Sequence, residues 1–172
     1  RPGGREELLL RLARTGGVYV PAFYDVEYHA DGRLLRVTPN RPGVPWRVAK
    51  HTVMDLDAWP YPKAPIVPLA ESVHERMSVE IFRGCTRGCR FCQAGMITRP
   101  VRERSARTIA EMVDNGLAKT GYEEVGLLSL SSADHSEIAV VAKGLADRYE
   151  GTETGLSLPS TRVDAFNIEL AD

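Results

Sequence analysis

The sequence predicts an α/β protein with a parallel β-sheet. Its second half alternates short apolar segments with longer segments of helical periodicity, in the order strand, helix, strand, helix, strand. Strands that alternate with helices in this way form parallel sheets through right-handed crossovers. The composition, with 43% hydrophobic and 26% charged residues, is ordinary for a folded globular chain and excludes an extensively disordered protein.

The first 70 residues predict a linker region that precedes the α/β part. Residues 5–17 (REELLLRLARTGG) have apolar residues at helical spacing and end in a glycine pair, which predicts a short helix. Residues 18–39 predict three strands, the last two joined as a hairpin by Asp31-Gly32. Residues 39–70 hold most of the prolines and therefore predict an extended connector.

The α/β part begins with a strand at residues 77–82 and a turn that contains the cysteines. The next helix is predicted to start at Ser105 as N-cap and to end at Gly121 as C-cap. A strand (123–132), a helix (134–151) and a strand (154–160) follow, and a third helix is predicted after Phe166. Because ligands bind beyond the carboxyl ends of parallel strands, we expect the cysteine turn, residues 129–136 and residues 159–164 to converge.

The three cysteines of the chain, Cys85, Cys89 and Cys92, lie within eight residues of one another. An odd number at this spacing does not form a disulfide framework, so we expect reduced thiols and a cytoplasmic protein. Buried core thiols are disfavoured, because glycines interrupt the segment and arginines alternate with the cysteines. A structural zinc site lacks its second pair of ligands, and an electron-transfer ferredoxin lacks its fourth thiolate. Three thiolates on a 4Fe–4S cluster would leave one iron open for chemistry.

Positive charge is concentrated around the cysteines. The segment from Ile81 to Arg107 contains seven arginines and one acid, whereas the remainder of the chain contains 15 basic and 22 acidic residues. We expect this field to offset the charge of thiolates and of a cluster. For Arg102 and Arg104 we favour solvated side chains at the start of a helix over contacts with an anionic substrate such as RNA.

Two polar residues after the second predicted strand, Asp134 and His135, have two interpretations. They are suited to contact a substrate, but a helix-capping aspartate and a solvated histidine are at least as well supported.

The motif Cys85-x3-Cys89-x2-Cys92, with Phe91 before the third cysteine, resembles the signature of the radical S-adenosylmethionine (SAM) superfamily. Residues 81–105, 121–136 and 157–171, together with the helix and hairpin of residues 1–38, are similar to a subfamily with an N-terminal cobalamin-binding domain. The resemblance implies a partial (β/α) barrel: residues 71–172 would be its first three β/α units, preceded by the linker region of residues 1–70. The chain is then expected to be a fragment that is inactive by itself.

The resemblance also implies a mechanism. The three cysteines would ligate a 4Fe–4S cluster whose open iron binds SAM, and an electron donor such as flavodoxin or ferredoxin would reduce it. Reduction would cleave SAM to methionine and a 5′-deoxyadenosyl radical that attacks an unknown substrate. Relatives suggest transfer of methyl or methylthio groups, RNA or protein as substrate, and cobalamin as a second cofactor of the full-length protein.

Further cofactor contacts are implied by position. The backbone at Phe91 would lie near the adenine of SAM, and Ser129 and Ser131 stand where the family has a glycine-rich motif. Ser160 and Arg162 would contact the ribose or the carboxylate, the arginine in a bidentate pair. The alternative of a different class is a non-enzymatic nucleic-acid- or protein-binding module with a structural metal site. No apolar segment is long enough for a membrane span, so no membrane partner is expected.

Overall fold

The computed structural model describes residues 3–70 and 72–165. The chain divides into two compact units between Val53 and Met54. The domain boundary that the sequence places at residue 70 stays a prediction. The predicted third helix, after Phe166, lies outside the described residues.

The first unit consists of one helix and one antiparallel hairpin. Helix α1 (Arg5–Arg14) is followed by a single 3₁₀ turn (Pro21–Phe23) and by strands β1 (Tyr24–Tyr28) and β2 (Leu34–Pro39). The strand predicted before the hairpin is absent from the described residues 18–20, because Pro21 begins the 3₁₀ turn there. The buried core of the unit contains Ala13, Val20, Phe23, Tyr24 and Val44.

The second unit contains a three-stranded parallel sheet, which confirms the predicted α/β class. Its strands β3 (Met77–Glu80), β6 (Glu124–Leu128) and β7 (Gly155–Ser157) lie side by side in sequence order. Helix α3 (Ala106–Thr120) connects β3 to β6, and helix α4 (Ile138–Tyr149) connects β6 to β7. Both strand pairs are parallel, with Met77 opposite Val125 and Val125 opposite Leu156.

The strand predicted at residues 77–82 is divided in the structure, which corrects the sequence-based expectation. Strand β4 (Phe82–Arg83) leaves the parallel sheet and pairs antiparallel with β5 (Arg102–Glu103). The division falls at Ile81, whose N–H donates to Leu128 O (3.0 Å) and whose carbonyl accepts from Arg104 N (2.9 Å). One residue therefore joins the parallel sheet to the small antiparallel pair that bounds the cysteine loop.

Helix α3 begins and ends where the sequence predicts. The Ser105 side chain accepts a hydrogen bond from Thr108 N, and Gly121 closes the helix in the left-handed conformation with a φ of 69°. Gly116, inside the helix, faces the side chain of Met77, whose Cε would lie only 2.4 Å from a Cβ at this position. The glycine that weakens the helix locally thus allows close packing of α3 on β3.

The described residues between Pro39 and Met77 form neither helix nor strand, in agreement with the predicted connector. Residues near its middle are attached to the second unit, because Leu56 is buried and its carbonyl accepts from Arg104. Ile66 and Leu69, further along, are fully exposed. Within residues 3–70 and 72–165, no helix combines the length and the apolar character that a membrane crossing requires.

Candidate functional site

The cysteine loop, residues 84–101, starts at a glycine that no other residue replaces without strain. Gly84 has a φ of +102°, and a Cβ there would lie 2.7 Å from the carbonyl oxygen of Pro100. The beginning and the end of the loop are thus in backbone contact just beyond β4 and β5. The only helix within the loop is the single turn α2 (Ala94–Ile97).

The three thiols of this loop are free, and their surroundings differ. Cys85 and Cys92 are partly buried, whereas Cys89 is exposed. Backbone N–H groups point at the two partly buried sulfurs: Arg87 N lies 3.5 Å from Cys85 Sγ, and Gly95 N lies 3.4 Å from Cys92 Sγ. Such donors favour sulfur atoms that carry negative charge, as metal-bound thiolates do.

The chemistry of this donor set fits an iron–sulfur cluster, although the sulfur atoms are not gathered around one point. Within the described part of the chain, no three His, Cys, Asp or Glu residues are grouped closely enough to hold a metal ion. A Cβ at Gly95 would lie 3.7 Å from both Cys85 Cβ and Cys92 Sγ, so these two cysteines flank the same glycine. Cys89, which is exposed, would have to turn inward for all three sulfur atoms to meet at one cluster.

The arginines of the loop and of the strand before it mostly bind backbone carbonyls or acids of neighbouring segments. Arg87 forms a two-contact ion pair with Asp134, with Nε 2.8 Å from Oδ2. Arg99 donates to the carbonyl of Cys85 at 3.0 Å, and Arg83 forms a bidentate pair with Glu80. Among residues 3–70 and 72–165, Arg90 makes no hydrogen bond or ion pair.

Arg102 and Arg104 are buried, so the expectation that they are solvated is wrong. Arg102 is 8% exposed and donates to the carbonyls of Thr98 (2.7 Å) and Pro100 (2.9 Å). Arg104 is 3% exposed and donates to the carbonyl of Leu56. Both guanidinium groups bind backbone carbonyls, which makes them parts of the scaffold.

The serine loop, residues 129–135, lies beyond the carboxyl end of β6. Ser132 is fully buried, and its Oγ lies 2.9 Å from Leu127 O and 3.0 Å from Pro159 O. Ser129 Oγ accepts from Ser131 N at 3.0 Å. The hydroxyl of Ser131 is buried without a hydrogen-bond partner, although it is close enough to Asp134 to contribute to that carboxyl's lowered pKa.

His135 is 3% exposed, so the expectation of a solvated histidine is also wrong. Its Nδ1 accepts from Glu137 N (3.0 Å) and its Nε2 lies 2.9 Å from Arg104 O, which requires a neutral ring with the proton on Nε2. Asp134 is not a helix cap but the partner of Arg87, whose guanidinium holds the pKa of that carboxyl below its usual range.

The structure confirms that the three loops converge. The pair of Arg87 and Asp134 joins the cysteine loop to the serine loop, and the N–H of Ser132 donates to the carbonyl of Ser160 (3.3 Å) in the third loop. Sequence reasoning did not single out Arg87. An acid and an arginine on loops expected to meet were the available signal for this pair.

The other residues predicted to contact SAM differ in how the structure places them. Ser129, Ser131 and Ser160 belong to the joined loops, and the positive charge of Arg162 contributes to the lowered pKa of Asp134. Arg162 itself is paired with Asp164, with Nε 2.9 Å from Oδ1. The side chain of Phe91 is 93% exposed at the tip of the cysteine loop and is not brought to the others.

The fold and the site together define the class: an α/β protein whose parallel sheet carries a candidate sulfur-ligand site, the three-cysteine loop, after its first strand. Comparison with known families makes the class specific, because residues 79–172 match the radical SAM superfamily. This match covers more than half of the chain, and the chain therefore belongs to the radical SAM superfamily, whose members generally use a 4Fe–4S cluster and SAM. The subfamily with a cobalamin-binding domain is not distinguished by this match.

A curated relative extends the comparison to a protein of unknown role. The chain is 32% identical over 92 residues to an uncharacterized protein of Methanocaldococcus jannaschii. The aligned stretch covers 54% of this chain and 20% of the relative. The chain thus spans about one fifth of the length of that relative, so the activity and the substrate of a whole protein belong to the proposals below.

Proposed function

We propose that this chain is part of a radical SAM enzyme in which Cys85, Cys89 and Cys92 ligate a 4Fe–4S cluster. The observation that carries the proposal is the loop itself: three free thiols beyond a sheet strand, two of them facing backbone N–H donors. When bound, the cluster would supply one-electron cleavage of SAM to a 5′-deoxyadenosyl radical. The protein would supply binding, orientation and exclusion of water.

The loop contacts suit that task. Gly84 and the guanidinium of Arg99 fix the base of the cysteine loop, while Arg87 ties it to Asp134 at the edge where substrates of parallel sheets bind. The exposed Cys89 is the third ligand, and its exposure leaves it accessible to an incoming cluster.

The same edge offers groups for SAM. The buried hydroxyl of Ser131 makes no hydrogen bond and lies near the Asp134 carboxylate, so it is available to donate to a ligand at this edge. Ser129 accepts from the N–H of Ser131, and the carbonyl of Ser160 accepts from the N–H of Ser132. Arg162 would exchange Asp164 for the carboxylate of SAM. Phe91 is exposed and directly precedes Cys92, so its backbone is accessible for the proposed contact to adenine.

The proposed cytoplasmic location rests on the reduced thiols that the number and spacing of the cysteines predict. The other finer assignments rest on the sequence resemblance alone. They are the subfamily with a cobalamin-binding domain, completion of a (β/α) barrel beyond β7, transfer of methyl or methylthio groups to RNA or protein, and a flavodoxin or ferredoxin donor. Purification of a longer protein that contains residues 1–172 tests the first. Bound cobalamin, visible in the absorption spectrum, would support it, and its absence after reconstitution would contradict it.

The alternative of a non-enzymatic binding module with a structural metal finds no support. Membership of the radical SAM superfamily favours an enzyme, and most of the arginines that suggested a basic surface are engaged with acids or carbonyls.

Anaerobic reconstitution with iron and sulfide tests the central proposal. We expect about four irons per chain and an electron paramagnetic resonance spectrum of the reduced cluster that changes when SAM is added. Cys89→Ala should lose most of the iron. Thr86→Val changes an exposed residue of the same loop and is the matched control, which should keep the cluster. Full iron content in Cys89→Ala, or binding of a single zinc in place of iron, would overturn the proposal.

The contact proposed for Ser131 has its own test. Ser131→Ala removes the unpartnered hydroxyl, so we expect the cluster to form normally and SAM to bind roughly tenfold more weakly. Titration of the SAM-induced spectral change measures this. Unchanged SAM affinity would remove Ser131 from the site and leave the cysteine assignment intact.

A further inference from the structure

The unit formed by residues 1–53 contains an open cavity of about 420 Å³. Its walls are the end of α1, the two glycines that follow, and most of residues 43–51. This size lies within the range of roughly 300–1,000 Å³ that is typical of sites for small molecules. Neither the radical SAM match, which begins at residue 79, nor the proposed SAM chemistry uses this cavity.

One wall of the cavity is formed by the guanidinium group of Arg14, which packs against the backbone of Gly43. Gly43 has a φ of +80°, and a Cβ there would lie 2.7 Å from Nη2 of Arg14. The same Nη2 donates to the carbonyl of Pro42 at 3.2 Å. Since a guanidinium has five N–H groups, this single hydrogen bond fixes the side chain and leaves donors for a ligand.

A second ionisable side chain of the cavity, that of His51, also packs against the backbone of a glycine. Gly17 has a φ of +67°, and a Cβ on it would lie 2.9 Å from Cγ of His51. The imidazole therefore packs directly on the backbone after α1, where only glycine leaves room for it. The C-terminal end of α1 by itself disfavours an anion, and the Thr15 hydroxyl, whose Oγ1 lies 2.8 Å from Leu12 O and 3.0 Å from Arg11 O, offsets this for one carbonyl at a time. Binding of an anion here therefore depends on the cationic side chains.

The cavity walls carry positive charge without a neighbouring acid in the sequence. No Asp or Glu occurs between Glu7 and Asp25, or between Asp31 and Asp55, and all lining residues come from these two stretches. Arg47 lines the cavity and, among residues 3–70 and 72–165, forms no ion pair or hydrogen bond. The ion pairs found in this unit use other arginines: Arg33 with Asp31, Arg36 with Glu27, and Arg41 with Glu6.

The remaining lining is apolar, with Ala13 and Val44 buried and Val48 partly buried. A site with arginine donors on one side and an apolar surface on the other recognises an anion that carries a hydrophobic group. We propose that this cavity binds a small organic phosphate. The phosphate group lies against Arg14, Arg47 and His51, and the apolar part of the ligand lies against the aliphatic side chains.

The proposed contacts of the phosphate group and of the apolar group are tested separately by comparing phenyl phosphate, inorganic phosphate and phenol. Titration of the ¹⁵N-labelled 172-residue chain should show saturable binding of phenyl phosphate, with shifts confined to residues 13–17 and 43–51. Inorganic phosphate should bind roughly tenfold more weakly, because it lacks the apolar contact, and phenol should not saturate. Absence of saturable phenyl phosphate binding, or shifts centred on other residues, would overturn the site.

Substitutions test the role of charge. Arg14→Gln and Arg47→Gln should each weaken phenyl phosphate binding roughly tenfold, since each removes a charge-assisted hydrogen bond. Arg11→Gln removes the same charge from α1 at a residue outside the lining and should change the affinity by less than about twofold. Equal weakening by Arg11→Gln would show nonspecific attraction and contradict the proposal. If Arg14→Gln fails to fold, Arg47→Gln still decides, because it loses no described hydrogen bond or ion pair.

Discussion

The cysteine loop follows β4 and the serine loop follows β6 in the same unit, but the two loops differ in how far their side chains are exposed. At the tip of the cysteine loop, Cys89 is exposed and Phe91 is 93% exposed. In the serine loop, Ser132 is 0% and His135 is 3% exposed, and their side chains bond to carbonyls of other segments. The first loop is fixed at its base and by the ion pair of Arg87 with Asp134, whereas the second is fixed along most of its length.

This difference corresponds to two tasks. A loop that receives a bulky inorganic cluster needs ligands that can still turn, whereas a loop that positions an organic ligand gains from being preorganised. The ion pair of Arg87 and Asp134 connects the two loops, so it holds the more exposed cysteine loop in a defined position relative to the serine loop. The following experiments alter one loop at a time, from the largest expected effect to the smallest.

Gly84→Ala tests whether the base of the cysteine loop is rigid. The φ of +102° and the 2.7 Å approach to Pro100 O predict a loss of about 3 kcal/mol in the free energy of unfolding. Gly88→Ala is the matched change nearer the tip of the loop. Gly88 also has a positive φ, of 68°, but a Cβ there would not clash with backbone atoms. It should cost about 1 kcal/mol. Urea unfolding measures both, and equal costs would mean that base and tip are equally constrained.

Ser132→Val tests the rigidity of the serine loop. The change leaves the carbonyls of Leu127 and Pro159 without this donor in a buried site, so we expect a loss of about 2 kcal/mol in unfolding free energy. Thr86→Val in the cysteine loop is exposed and should change stability by less than about 0.5 kcal/mol. Similar urea midpoints for the two variants would remove the contrast between the loops.

Asp134→Asn tests the connection between the loops. Loss of the charge on the partner of Arg87 should loosen the cysteine loop, and labelling of Cys85 by a disulfide reagent should become roughly threefold faster. Arg87→Gln should give the same result, because both variants remove one pair. Unchanged labelling would show that the base of the loop is sufficient to hold it.

The same ion pair predicts a pH dependence. The pKa of Asp134 in the folded protein is lowered, chiefly by Arg87, so its stabilising contribution is present above the unfolded-state pKa of roughly 4. The contribution is lost as the pH falls through the lowered value. The difference in urea midpoint between the wild type and Asp134→Asn should therefore be present at neutral pH and shrink in acid. A difference that grows in acid would contradict this sign.

Tyr149 lies on helix α4, outside both loops, and its substitution is expected to have the smallest effect of the series. Burial, followed by the hydrogen bond from its hydroxyl to Asp114 Oδ1 (2.8 Å), raises the pKa of Tyr149 to about 12. The stability that this protonated hydroxyl contributes is present below the ordinary value of about 10 and is lost as the pH rises through the raised one. The absorbance titration of the wild type minus that of Tyr149→Phe should show the late midpoint. Asp114→Asn should lower it but leave it above the ordinary value, because burial is the larger cause.

Local signals were sufficient to predict much of the fold. The caps Ser105 and Gly121 were correct because a cap depends on its own residue and on the next helical turn. The parallel sheet followed from the alternation of apolar segments. The division of the first strand at Ile81 was not predictable, because it depends on hydrogen bonds to Leu128 and Arg104, which are distant in sequence.

The candidate site was predictable in position but less so in its details. Parallel topology was enough to bring the three loops together, since it depends only on strand order. The burial of Arg104 and His135 was missed, because each binds a group that is distant in sequence and that folding brings near. Arg102 binds the nearby carbonyls of Thr98 and Pro100, but its burial depends on the packing around it, which no local pattern reveals.

The buried anchor at Leu56 determines how the second unit tolerates a break in its covalent chain. Leu56 is held by Arg104, Asp57 accepts from Ser105 N at 3.0 Å, and Tyr61 packs against the core. Ile66 and Leu69, which follow, are fully exposed and outside any helix or strand. A protease that cuts there should leave both pieces associated through the anchor. The connector is thus the place at which this protein is expected to work as a split protein assembled from two polypeptides.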